Sequence, residues 1–283
     1  MFDRVEAFFR PDNIPDALRL FQIGNGGARF LAGGTDLIHQ ENGSARSLID
    51  LTQLGLRYIR RRDGGWQIGA TTTISDLDAS PALRSLAGGI LAKAALQSGP
   101  PQVRNMATVG GRLSSRSQFN EIATSLVALD AAAILVQGKR RFTVRIEELV
   151  EKAPAPGTLL IEVEIPPPPA GGHTGWAFHK LSRTQGDISL VNAAVGLQMG
   201  RGKQPHCKWL RIVMGAAGKP PALLVVKDQV LDTLFIDRTW ERIEASAKTT
   251  DSVRGSAAYL REMHGVVARR ALLEAARNAG CKL

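Results

Sequence analysis

Two glycine pairs are the residues of this chain best suited to hold a ligand. Gln102 to Leu113 reads Gln-Val-Arg-Asn-Met-Ala-Thr-Val-Gly-Gly-Arg-Leu, and Arg29 to Leu37 reads Arg-Phe-Leu-Ala-Gly-Gly-Thr-Asp-Leu. Gly110-Gly111 and Gly33-Gly34 carry no Cβ, so the backbone there is free to take φ > 0. A bend of that kind turns successive N–H groups toward one point and makes a concave site for an anion, typically a phosphate. Thr108, Gln102, Arg104 and Asn105 bring side-chain donors to one stretch, and Thr35 or Asp36 can cap whatever follows the other. Two phosphate-sized nests suit a diphosphate, at roughly 1.5–3 kcal/mol for each charge-assisted hydrogen bond. Either stretch taken singly also reads as a plain turn after a strand. The diphosphate reading makes a geometric demand: the two bends meet in space and keep their amides free.

Other chemistries find less support. Gly24-Asn25-Gly26-Gly27 lacks the last glycine spacing of a dinucleotide fingerprint, and no Gly-Lys-Ser/Thr phosphate loop occurs. His39, His173, His179, His206 and His264 form no metal-type pair, and Gly-x-Ser-x-Gly is absent. Cys207 and Cys281 have no ligand spacing and fall short of the four thiolates an iron–sulfur cluster takes. No metal site and no catalytic residue is therefore assigned to this chain.

The elements that must position the glycine pairs follow from periodicity. Val5 to Phe9 is a short strand, and a helix starting at Pro15 carries Ala17, Leu18, Leu20 and Phe21 on one face up to Gly24. Ala28 to Leu31 is a strand that delivers the first pair, and Ser47 to Leu51 is a buried strand. Tyr58 to Arg60 and Trp66 to Gly69 alternate as a hairpin around Asp63-Gly64-Gly65. Thr71 to Asp76 reads as a helix cap, Leu83 to Leu96 as one helix, and Glu121 to Leu129 as another. Ala133 to Val136 and Arg141 to Val144 form a hairpin at Gly138, and Leu159 to Ile165 is a strand stopped by Pro166. Pro166 to Gly172, with four successive prolines, is the clearest linker. Beyond it Gly175 to Leu181, Ile188 to Met199 and Trp209 to Ala216 read as strands, and Glu241 to Ala247 and Ala257 to Ala279 as helices.

Bulk numbers bound the rest. With 283 residues, 44% of them hydrophobic, the chain is long enough for two domains. No apolar run approaches the roughly 20 residues of a membrane span, and no signal pattern opens the sequence, so a cytoplasmic location without membrane insertion is expected. The formal charge of +10 raises nucleic acid as a partner, but aromatic content is 5% and the basic residues are scattered outside Arg57-Tyr58-Ile59-Arg60-Arg61-Arg62. That cluster reads first as a solvated strand edge and next as a docking surface; no nucleic-acid partner is expected.

Ala32 to Leu37, Gln102 to Asn105 and Thr108 to Gly111 together resemble the flavin module of the xanthine dehydrogenase and carbon monoxide dehydrogenase family, the molybdenum hydroxylases. The likeness continues through Ile68 to Thr72, Leu129 to Ala131, Ile165-Pro166, Lys180 with Arg183 and Asp187, and Asp251 to Arg261. It implies an α+β fold: a two-subdomain FAD-binding module of the PCMH or vanillyl-alcohol-oxidase type, then a smaller α+β C-terminal domain of strands followed by helices. It places the FAD-binding domain at 1–166, with subdomains of about 1–55 and 56–166, a Pro/Gly linker at 167–175, and the C-terminal domain at 176–283. It implies a medium subunit that passes electrons from partner [2Fe-2S] clusters through FAD to an acceptor such as NAD or a quinone. Substrate oxidation then falls to a large molybdopterin subunit, and a small [2Fe-2S] subunit completes a dimer of heterotrimers. A stand-alone FAD-dependent oxidoreductase and a structural subunit that has lost FAD are the alternatives.

Carried over by position, the resemblance assigns Arg29, Phe30, Leu31, Ala32, Gly33, Gly34, Thr35 and Asp36, with Thr108, Val109, Gly110, Gly111 and Arg112, to the diphosphate and ribityl, mainly through backbone N–H groups. Ser98 would lie against the cofactor, Leu160 near the adenine or ring system, and Lys180 would set a positive charge near the flavin or its phosphates, with Asp187 and Arg183 as a supporting ion pair. Glu121 would meet ribose or ribityl hydroxyls. Arg112 stands where the family generally has Asn, Gln118 where it has Pro and Glu121 where it has Asp.

Overall fold

Asn13 shows how local chemistry starts an element here: its side-chain oxygen accepts from the Asp16 amide at 2.9 Å, and Pro15 fills the first turn, where no intrahelical acceptor is needed. The computed structural model describes residues 4–40, 44–115, 117, 120–169, 171–200, 205–216 and 221–281, with backbone alone at 39 and 40. Along the chain run β1 (Ala7–Phe9), α1 (Ile14–Ile23), β2 (Ala28–Leu31), α2 (Leu37–Gln40) and β3 (Ser47–Asp50). Next come β4 (Ile59–Arg62), β5 (Gly65–Gly69), α3 (Ile74–Ala79), α4 (Pro81–Ser85), α5 (Ile90–Leu96), α6 (Pro101–Met106), α7 (Val109–Ser114) and α8 (Glu121–Ala128). Then follow β6 (Ala132–Gln137), β7 (Arg140–Arg145), α9 (Ile146–Glu151) and β8 (Leu159–Ile165). The C-terminal part holds β9 (His173–Leu181), β10 (Val191–Met199), β11 (His206–Gly215), β12 (Ala222–Val230), α10 (Thr233–Ser246) and α11 (Ala257–Asn278). This is the α+β class expected, with strands before helices at the C-terminal end.

The chain forms two compact units. Residues 1–76, 101–116 and 131–167 make the first; 77–100, 117–130 and 168–283 make the second. In the first unit, β1, β3 and β2 form a parallel sheet in that order, and β4-β5-β8-β6-β7 an antiparallel one. Ala17, Leu18, Ala28, Ile49, Leu51, Ile134, Leu159 and Ile161 join in one apolar cluster, so α1 and strands of both sheets share a core. In the second unit, β12-β11-β10-β9 is an antiparallel sheet. Every residue of β10 is buried, because α11 packs on the sheet and α8 also contacts β10 and β11. A strand covered on both faces is buried throughout, and here that takes in Asn192 and Gln198 as well as the apolar residues.

Several expectations need correcting. Leu83 to Leu96 is not one helix: α4 and α5 are separated by a 3₁₀ turn at Leu86–Gly89, where Ala87, Gly88 and Gly89 all have positive φ of 48–75°. Two adjacent glycines make that break inexpensive. Gln102 to Leu113 is helical rather than a bend, forming α6 and α7. Strand β12 and helix α9 carry no expectation above, and α10 begins at Thr233, where the Asp232 carboxylate accepts from the Phe235 amide at 2.7 Å. The Thr71 to Asp76 cap does form: Thr73 N–H donates to Asp76 Oδ2 at 2.9 Å and Asp76 N–H to Thr73 Oγ1 at 3.1 Å. Gln118 lies outside the described residues.

The arginine run is an edge strand, as its alternation suggests: Arg60, Arg61 and Arg62 of β4 are exposed. Its inner partner is Glu162 on β8, 2% exposed, which accepts from Tyr58 Oη at 2.6 Å and from Arg60 at 3.2 Å and faces Arg141 at 3.6 Å. Burial first, then the Glu162 carboxylate, pushes the Tyr58 phenol up to about 12. Because this folded pKa is raised, the stability it contributes is complete below about pH 10 and lost as pH rises toward about 12. In a Tyr259→Phe variant, Tyr58 is the one tyrosine left. Its ultraviolet titration should then have a midpoint of about 12; a midpoint at the ordinary phenol value would contradict the cluster.

Candidate functional site

Strand β2 ends at Leu31, and the chain turns at once into Ala32-Gly33-Gly34-Thr35-Asp36 at the carboxyl end of a parallel sheet, a usual place for ligands. Gly34 takes φ +71°, which an L side chain resists. The amides of Gly33, Gly34 and Thr35 donate to no acceptor among the described residues. Gly33 lies against the end of α6 so closely that a Cβ there would overlap the Met106 carbonyl oxygen. The two glycine stretches therefore meet, as the diphosphate reading requires.

The second half of that requirement fails for the second stretch. Gly110 and Gly111 have ordinary helical φ, and the amides of 109–112 are all spent inside the protein. Val109 N–H donates to Thr72 O at 2.9 Å, Gly110 N–H to Ala70 O at 2.8 Å, and Arg112 N–H to Thr108 O at 2.9 Å. Gly111 N–H donates to Thr108 Oγ1 at 3.2 Å, so Thr108 is the N-cap of α7. Gly110 is needed for close packing instead: a Cβ there would sit 2.8 Å from Ala70 Cβ and 2.9 Å from Ala70 O. Nest formation by this stretch is thus withdrawn, because a capped helical turn uses the same amides.

What the two stretches build together is a cavity of about 180 Å³. Phe30, Ala32, Gly33, Gly34, Thr35, Asp36 and Leu37 line it from one side, and Thr108, Gly111, Ser114 and Ser115 from the other. It is smaller than the roughly 300–1,000 Å³ that a drug-sized ligand fills, so it suits a part of a larger molecule. Its donor set is the open amides of 33–35 with hydroxyls from Thr35, Thr108 and Ser114, a chemistry matched to phosphate oxygens, while the Ser115 hydroxyl donates to the Arg112 carbonyl at 3.1 Å. Phe30, stacked on Phe21 at 4.7 Å, and Leu37 supply apolar wall. Among the described residues, Asp36 is the one charged residue of the lining, and Arg112 Nη1 stands 3.4 Å from its Oδ2. Ser114 and Ser115 went unnoticed in the sequence; their signal was helical spacing from Gly111, visible only once 109–114 is read as a helix.

The remaining expected residues are placed elsewhere. Arg29 is held by the carbonyls of Gly26 and Ala28 at 2.8 and 2.9 Å and by Ser44 Oγ at 2.7 Å, and does not line the cavity. Leu31 packs beside Gly34. Val109 and Gly110 are buried, and Leu160 is a buried residue of β8 opposite Leu135. In the second unit, Lys180 and Glu121 form an ion pair at 3.2 Å with side chains only 1% and 3% exposed. The Lys180 ammonium also donates at 2.6 Å to the carbonyls of both Gln97 and Asp187. Glu121 accepts from Ser98 Oγ at 3.2 Å and from Ser189 Oγ at 2.6 Å. Lys180 is thus neither an exposed lysine nor a solitary charge; its three donors are used within its own unit. Arg183 and Asp187 do pair, at 2.6 Å, and the Arg183 hydrogen bond holds Asp187 below the usual carboxylate range. Among the described residues no group of three metal ligands occurs, and no helix is long and apolar enough to cross a membrane.

A family model described as "FAD binding domain in molybdopterin dehydrogenase" matches residues 2–168, and one described as "CO dehydrogenase flavoprotein C-terminal domain" matches 176–275. The chain is similar to the carbon monoxide dehydrogenase medium chain of Afipia carboxidovorans, 32% identical over 96% of this chain and 97% of that protein. It is also similar to the 6-hydroxypseudooxynicotine dehydrogenase complex subunit alpha of Paenarthrobacter nicotinovorans, 31% identical over 98% and 95%. Among solved structures, a chain of the reconstituted CO dehydrogenase from Oligotropha carboxidovorans matches with a TM-score of 0.87 at 31% identity, covering 96% of this chain and 98% of that one. Both family models match in order and the relatives align along nearly their whole length: the chain belongs to the FAD-binding medium subunits of the molybdenum hydroxylases, the family of the carbon monoxide and xanthine dehydrogenase flavoproteins.

Proposed function

We propose that this protein is the electron-transferring flavoprotein subunit of a cytoplasmic molybdenum hydroxylase, set between the [2Fe-2S] clusters of a small partner and an acceptor such as NAD or a quinone. A large molybdopterin partner oxidises the substrate, and the assembly is a dimer of heterotrimers. Bound FAD supplies the redox chemistry, and the protein supplies binding and electrostatics. The observation that carries the reading is the cavity where β2 ends, with three open amides facing hydroxyls of α7 and its cap. Gly33, Gly34 and Thr35 donate backbone N–H groups to diphosphate oxygens, at about 1.5–3 kcal/mol each. Thr108 and Ser114 add hydroxyl donors, while Phe30 and Leu37 keep water from that side. Family membership along both halves of the chain supports the subunit role.

Purification of the complex from its native host tests this. About one FAD per copy of this chain should be released on denaturation, and visible flavin absorbance should remain after the iron–sulfur contribution is subtracted. A complex without flavin would leave the structural-subunit alternative, and a flavin-loaded chain that purifies alone and turns over substrate would favour the stand-alone oxidoreductase.

A further inference from the structure

Val253 is a β-branched apolar residue at the tip of a turn, where Gly, Pro, Asn, Asp or Ser is usual, and its side chain is fully exposed. A single exposed apolar residue is ordinary. What distinguishes this one is how firmly its loop is held. Ser252 N–H donates to Gly255 O at 3.1 Å, and Gly255 N–H to Ser252 O at 3.2 Å. Arg254 N–H donates to Ser252 Oγ at 3.1 Å, Ala257 N–H to Asp251 Oδ1 at 2.6 Å and Thr249 Oγ1 to Ala257 O at 2.7 Å. Ser256 caps α11 by accepting from Tyr259 N–H at 3.2 Å. The polar side chains of 249, 251, 252 and 256 thus shape the loop, and Val253 is what it presents outward. Exposed Tyr259 lies beside Gly255, and Arg261 is exposed on the next turn of α11. A preformed apolar tip has little freedom left to lose on binding. Tyr and Arg beside it are the residue types that dominate interface energetics.

Charge and position decide the occupant. Against Asp251, already used in the loop, the segment 251–261 carries Arg254 and Arg261, and the whole chain is at +10. A second copy would bring like charges together, whereas a pocket rimmed by carboxylates is complementary. Successive residues of a strand face opposite sides of its sheet. Lys180 pairs with Asn192, whose side chain meets Thr124 of α8 at Gly215, while Val191, Ala193 and Val195 cluster with Val267, Ala271 and Ala275 of α11. Lys180 and Glu121, which the resemblance sets toward the cofactor, therefore lie on the sheet face opposite α11. The partner that carries iron–sulfur clusters has to approach the flavin; one docking on the α11 side has no such need. We propose that the segment 251–261 is the docking element for the large molybdopterin subunit, with Val253 seated in an apolar pocket and Arg261 on its acidic rim. This rests on the subunit role proposed above and deepens it by naming the surface that holds one partner.

The test uses the assembled complex, for wild type, Val253→Asp, Val253→Ile and Arg261→Glu, with dissociation on dilution followed by mass photometry. Val253→Asp should raise the concentration at which the large chain dissociates by about 30-fold or more, the loss that marks an interface hot spot. Val253→Ile should dissociate as wild type does. Arg261→Glu should weaken assembly by about 3- to 10-fold at low salt, and added salt should shrink that difference. Flavin content and the melt of each full chain should match wild type, since Val253 is exposed and lies outside the cavity lining. If Val253→Asp changes the melt, Val253→Ser carries the comparison. Three results overturn the inference while leaving the subunit role intact. They are a Val253→Asp complex as tight as wild type, loss of the small chain with the large one retained, and a Val253-dependent dimer of this chain alone. A native complex that contains no molybdopterin chain overturns the subunit role itself, and the docking assignment with it.

Discussion

Gly33→Ala should abolish flavin retention and destabilise the first unit by about 3 kcal/mol or more, the upper end of what overpacking usually costs. Gly33 has an ordinary φ, so the expected damage is steric and not conformational. A Cβ there would overlap the Met106 carbonyl and approach Ala107 Cα, all backbone atoms that cannot rotate aside. Either the loop after β2 lifts off α6 or the segment 106–108 moves, and Thr108 caps α7 from that segment. Both responses separate the walls of the cavity lined by 30–37 and 108–115. Gly26→Ala is the matched control: Gly26 has φ +83° and nothing within 4 Å of a new Cβ. It should cost only about 1–2 kcal/mol of backbone strain and keep its flavin. The flavin-to-protein ratio and the melting temperature of the two variants are the measurements. A Gly33→Ala protein with full flavin and an unchanged melt would show that the two stretches do not touch as described.

The same glycines show what the sequence made legible and what it hid. Alternation and turn chemistry located β2, β3, β6 and β8 to within a residue, and both hairpins turn where expected, at Asp63-Gly64 and Gly138, with positive φ at each of the three. These are local properties, written within a few residues. Gly110-Gly111 misled because glycine lowers helix propensity whatever surrounds it, while the reason for this pair is tertiary: α7 approaches Ala70 too closely for a side chain. Thr108 was the competing signal, an N-cap residue followed by a helical turn, and it is the one that decides the local structure. Strand β12 was missed because Lys227, Asp228 and Gln229 interrupt its apolar pattern, and only pairing with β11 keeps it extended. Distant packing likewise governs Lys180, whose chain position gave no hint of the acceptors around it.

Lys180→Met should lower the stability of the second unit by about 3–5 kcal/mol, the cost of removing one partner from a buried ion pair. Its side chain is 1% exposed, so water cannot replace it. Glu121 would keep the hydroxyls of Ser98 and Ser189 but lose its counter-charge, and the Gln97 and Asp187 carbonyls would each lose a donor. Those atoms tie the end of α5, the start of α8 and the loop before β10 together, so the loss falls on three segments at once. Removing the charge conflict separates the contributions: Lys180→Met with Glu121→Met should be more stable than Lys180→Met alone, yet below wild type, because the two carbonyls stay unsatisfied. Arg183→Ala, which breaks an exposed pair with Asp187 at 2.6 Å, should leave the melt nearly unchanged. Thermal unfolding followed by circular dichroism compares all four proteins. A Lys180→Met melt equal to wild type would mean that the ammonium is not buried among these acceptors; a double variant no more stable than the single would mean that Glu121 carries no uncompensated charge when Lys180 is gone.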